Sequence, residues 1–82
     1  MASLQFVIDS ICSKVTVETM SRLVKARLAQ GPFRVAEIVP LVQAEDRSLD
    51  YDSAKTLADA ACEALAEQGE LRISGDRIGP AT

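Results

Sequence analysis

Between Asp52 and Gln68 the apolar side chains fall on one stripe, and neither glycine nor proline interrupts it. Ala54, Leu57, Ala58, Ala61, Ala64 and Leu65 share a face at about 100° per residue. The stretch therefore predicts a helix, and its small buried side chains let neighbouring helices pack closely. Asp50 or Asp52 can cap its start, and Gly69 suits the left-handed position that ends it. Beyond Gly69, Leu71 and Ile73 alternate with Arg72, and Gly75-Asp76 has the composition of a tight hairpin turn. Ile73 and Ile78 are then expected opposite each other on the inner face.

The residues before this helix divide less cleanly. "SLQFVIDSICSKV" places Leu4, Val7, Ile8, Ile11 and Val15 at helical spacing, with Ser3 as a candidate cap. The β-branched run Val15–Val17 predicts a break or kink. Thr16 can cap a second helix, "VETMSRLVKARLAQ", stopped by Gly31-Pro32. Arg27 lies inside the apolar arc of that helix. Its guanidinium is expected to reach solvent along its stem, or failing that to find an acid. "PFRV" can form a short strand, and "VAEIVPLVQ" a further helix that Pro40 makes short, kinked or late in starting. "AEDRSLDYD" reads as a polar connection.

Three helices, a short strand after the first and a closing hairpin form the order of a winged helix-turn-helix domain. "RLAQGPFRVAEIV" resembles the junction of its first helix, small strand and second helix, and "TLADAACEALAEQGELRIS" the end of its third helix and first wing strand. The resemblance implies an α+β, mainly helical fold over Val17–Pro80, with residues 1–16 as an added helix. In such domains the third helix often enters the DNA major groove, while other members are protein-interaction modules. Three features depart from the usual pattern. Arg34 stands where Ser or Thr commonly caps, Pro40 interrupts the second helix, and the connection to the third is about twice the usual three to four residues.

Charge weighs against the DNA function. The chain of 82 residues carries twelve acidic and nine basic side chains, a net charge of −3 and a pI near 4.8. Asp52, Asp59, Glu63 and Glu67 occupy the exposed side of the predicted third helix within about 80°. A carboxylate about 4 Å from a phosphate costs on the order of 1 kcal/mol even in water. These four acids form either a plain solvated face or a docking surface for a basic protein partner. The leading expectation is a non-enzymatic interaction or regulatory module that uses them. The alternative is a DNA-binding transcriptional regulator gripping phosphates through Arg22, Lys25, Arg34, Arg72 and Arg77. Leu4, Val7, Ile8 and Ile11 could pair with a second copy in a homodimer, or could simply cover the chain's own core.

Composition bounds the remaining possibilities. A single domain of this size buries about 60% of the surface its unfolded chain exposes. Its core must come from aliphatic residues, since the only aromatics are Phe6, Phe33 and Tyr51. Without histidine, Cys12 and Cys62 supply neither a zinc site nor an imidazole-activated nucleophile, and both are expected as small buried thiols. A metal held by Glu63 and Glu67 alone lacks ligands. No cofactor loop, signal peptide or membrane-crossing stretch is evident, so a cofactor-free cytoplasmic protein is expected.

Overall fold

The structure, a computed structural model, describes residues 4–81 and is mainly helical with a small antiparallel sheet. Helices α1 (Leu4–Ile11) and α2 (Val17–Leu28) are followed by strand β1 (Phe33–Arg34) and a 3-10 turn at Val35–Glu37. Helices α3 (Val39–Glu45) and α4 (Tyr51–Glu67) lead into strands β2 (Leu71–Ser74) and β3 (Arg77–Pro80). The sheet order is β1-β3-β2, so the last strand lies between the other two. α4 packs against α1, α2, α3, the 3-10 turn and β2, and is the hub of the molecule. The sequence-predicted cap at Ser3 lies outside the described residues.

Local chemistry explains the element ends. Thr16 caps α2, its side-chain oxygen accepting from the Thr19 amide at 3.1 Å. Asp50 does the same for α4, accepting from the Ser53 amide at 2.8 Å. This bond holds the Asp50 carboxyl below its ordinary pKa. α4 stops as expected: Gly69 has φ +76°, and the Gly69 and Glu70 amides bond to the Ala66 and Leu65 carbonyls. α1 ends with the same pair of bonds, Cys12 to Asp9 and Ser13 to Ile8, but its left-handed residue is Cys12, at φ +59°. The break between the first two helices thus precedes the Val15–Val17 run. At the hairpin, Gly75 takes φ +64°, as the first central residue of a two-residue turn can require.

Pro40 acts by delaying a helix. A 3-10 turn fills Val35–Glu37, and α3 begins at Val39 with Pro40 in its first turn, where a missing amide proton leaves no bond unmade. The α3–α4 connection spans residues 46–50 and is shorter than the sequence implied.

The core is aliphatic. Met20, Val24, Ile38, Val39, Val42, Leu57 and Ile78 are fully buried, and Phe33 is the only buried aromatic among the described residues. Ile73 does pair with Ile78, but it lies towards the edge and stays 37% exposed. Leu4 and Ile8 belong to this core, and Val7 and Ile11 pack against it. Of the two readings of this face, covering its own core and pairing with a second copy, Leu4 and Ile8 follow the first and are corrected as dimer contacts. Both are already buried in their own chain, and the large apolar residue that α1 exposes is Phe6.

Arg27 also differs from its first expectation. Rather than ending in solvent, its guanidinium donates to Glu37 Oε1 at 3.0 Å and to the Gly31 carbonyl at 3.3 Å, and lies 5.2 Å from the centre of the Phe33 ring. Glu37 accepts from the Arg34 backbone amide at 2.7 Å as well. That bond, followed by the one from Arg27, lowers the Glu37 pKa. Glu37 thus supplies the reciprocal half of a capping box, its side chain reaching back to the amide of the residue at the cap position.

Candidate functional site

α4 is long enough to carry a continuous acidic face past the core. Asp52, Glu63 and Glu67 are exposed and Asp59 is half-buried. Lys55, one turn before Asp59, donates to its carboxylate at 3.1 Å, and this bond raises the lysine pKa. Asp76, in the hairpin turn, acts on Lys55 through its charge. Part of the helix face therefore continues across to the hairpin.

Between them lies a cavity of about 260 Å³. Val35, Cys62, Ile73 and Ile78 form its apolar lining, and Ala36 flanks it from the 3-10 turn. Asp59, Glu63 and Asp76 bring three carboxylates to it against the single cation of Lys55. Of the sequence-predicted acids, the structure brings Asp59 and Glu63 together here. Asp52 and Glu67 lie outside, towards the two ends of α4. Asp76, Val35 and Ala36 were not picked out beforehand, because no local pattern ties a hairpin turn or a 3-10 turn to a helix face.

The basic residues divide into two groups. Arg22 and Lys25 lie on α2, and Lys25 is engaged by Glu70 at 2.8 Å. Arg34, Arg72 and Arg77 share the solvent side of the sheet. The register sets Arg34 directly against Arg77, and Arg72 is two positions from the residue paired with Arg77. Phe33 and Ile78 occupy the opposite, buried side. Asp76 reaches Arg34 Nε at 4.0 Å.

The two cysteines differ, where both were expected to be buried. Cys12 is exposed and Cys62 is buried, and neither forms a disulfide. Burial, with added repulsion from Asp59 and Glu63, pushes the Cys62 thiol up to about 12. An aromatic disulfide reagent at about pH 8 should label Cys12 in the folded chain and reach Cys62 only in denaturant, because the thiolate is the reacting form. Mass spectrometry of the native adduct checks this, and rapid modification of Cys62 would contradict the packing around it.

Among the described residues, no group of three or more His, Cys, Asp and Glu side chains could hold a metal ion, and no helix is long and apolar enough to cross a membrane. No family model, curated protein or solved structure matches the chain. What its surfaces can bind follows from their own geometry.

Proposed function

We propose that the chain is a non-enzymatic interaction or regulatory module of winged-helix type, whose third core helix docks a basic protein partner through Asp52, Asp59, Glu63 and Glu67. The winged-helix reading draws support from the order α2, β1, α3, α4, β2, β3 and from the central place of β3 in the sheet. The observation that carries the function is the acidic cavity between α4 and the hairpin. In a DNA reader that surface would face phosphates, and three carboxylates beside one lysine repel them.

A labelled peptide of alternating arginine and glycine, followed by fluorescence anisotropy, tests this reading. It should bind at low salt, weaken as salt screens the charges, and be released by Glu63→Lys combined with Glu67→Lys. A peptide that fails to bind, or that binds the doubly reversed variant as well as wild type, would overturn the proposal.

One observation favours a second reading as a DNA-binding regulator: Arg34, Arg72 and Arg77 gather on the outer side of the sheet. Lys25 is occupied by Glu70 and Arg34 shares Asp76, so fewer phosphate contacts are available than the sequence count implies. If a random duplex binds at low salt and Arg72→Glu with Arg77→Glu removes it, this second reading replaces the first. Leu4 and Ile8 are committed to their own core, which leaves dimerisation through α1 to the half-buried Val7 and Ile11.

A further inference from the structure

We infer that the cavity between α4 and the β2–β3 turn is a seat for one arginine side chain of the protein partner. This inference rests on the acidic docking function and specifies where the partner is gripped. The cavity's size and chemistry both carry it. At about 260 Å³ it falls below the roughly 300–1,000 Å³ typical of small-molecule sites, so it suits a single inserted side chain. Its lining by Val35, Cys62, Ile73 and Ile78 matches a methylene stem, while Asp59, Glu63, Asp76 and Lys55 carry its charge.

Those carboxylates are unequally committed. Asp59 already holds Lys55 at 3.1 Å, and Asp76 lies 4.0 Å from Arg34. Glu63 is exposed and makes no hydrogen bond or ion pair with the described residues. It is the acceptor left for an incoming cation. A guanidinium offers a carboxylate two parallel N–H donors, whereas an ammonium offers a point charge, so arginine fits better than lysine. The negative excess, three carboxylates to one lysine, supplies the charge complementarity.

The test uses the full chain labelled with nitrogen-15 and titrated with N-acetyl-arginine amide, with the neutral N-acetyl-citrulline amide as control. Amide shifts are expected at Ala36, Cys62, Glu63, Gly75 and Asp76 for arginine and not for citrulline. Glu63→Gln should weaken binding about tenfold or more, as loss of a charge-assisted bond does. Ala36→Phe should abolish it by filling the cavity while leaving every charge in place. Should Ala36→Phe fail to fold, Glu63→Gln and the citrulline control still decide.

Equal shifts with citrulline, or shifts confined to other surfaces, would overturn the inference. So would dilution-dependent shifts of the same resonances without ligand, which would make a second copy of this chain the occupant. The arginine–glycine peptide separates this inference from the reading beneath it. If the peptide binds Ala36→Phe as it binds wild type, yet is released by Glu63→Lys with Glu67→Lys, the acidic helix stands and the cavity does not. If the peptide binds neither wild type nor variant, both fall.

Discussion

Leu57→Ala should lower the stability of the fold by about 2–5 kcal/mol, read from urea denaturation. At roughly 0.05–0.15 kcal/mol per residue, a domain of this size has only about 4–12 kcal/mol to lose. Leu57 is fully buried on the helix that every other helix packs against. Most of the buried face around it is alanine: Ala54, Ala58 and Ala61 have no side chain that could swing into the gap. Within α4 itself, then, little can move to fill the cavity. Phe6 and Tyr51 are exposed, so no large aromatic other than Phe33 stabilises the core from elsewhere. Leu41→Ala is the control. Leu41 is 40% exposed on α3, and its truncation should change stability by about 0.5 kcal/mol or less. If the two variants unfold alike, α4 is not the centre of the core.

The same helix shows which parts of the fold are legible in sequence. Its stripe, its Asp50 cap and its Gly69 stop are all set within a few residues of where they act, and so is the Gly75-Asp76 turn. Cys12 carries no such signal. It takes the left-handed conformation because the chain must turn from α1 into α2 there, while Leu4 and Ile8 are held in the core. The periodicity of α1 revealed an apolar face but not what it meets, and it meets its own chain. Arg27 was placed correctly on the buried side of α2, but its partner Glu37 arrives from the 3-10 turn ten residues on. The candidate site divides in the same way. The four acids of α4 are periodic and readable, whereas the cavity depends on Val35, Ala36 and Asp76 arriving from two other elements.

Asp46 is the clearest case of a residue whose role only tertiary structure reveals, and replacing it should produce a stability loss that depends on pH. The "DRS" run hints at half of this role, since Asp46 Oδ1 accepts from the Ser48 amide and hydroxyl, a local turn. The other oxygen accepts from the Ser13 hydroxyl at 3.1 Å and the Lys14 amide at 3.0 Å, tying the α1–α2 connection to the end of α3. These donors, the Ser48 hydroxyl and the Lys14 amide foremost, hold the carboxyl at about 2 against an ordinary 3.8. Because the folded value is the lower one, the unfolded chain takes up the proton first as pH falls. The stabilisation is therefore complete above about pH 4, declines between about 4 and 2, and is gone below that. Asp46→Asn removes the charge, and whichever way the amide turns, its NH₂ faces a backbone N–H, of Ser48 or of Lys14, that then has no acceptor. The thermal midpoint of Asp46→Asn should fall several degrees below wild type near neutral pH, and the two curves should converge as the medium is acidified through that interval. Parallel curves down to the lowest pH would show that the amide's poor fit, and not the lost charge, sets the difference. Convergence would identify the buried carboxylate as the group that fastens α1 and its connection to the rest of the fold.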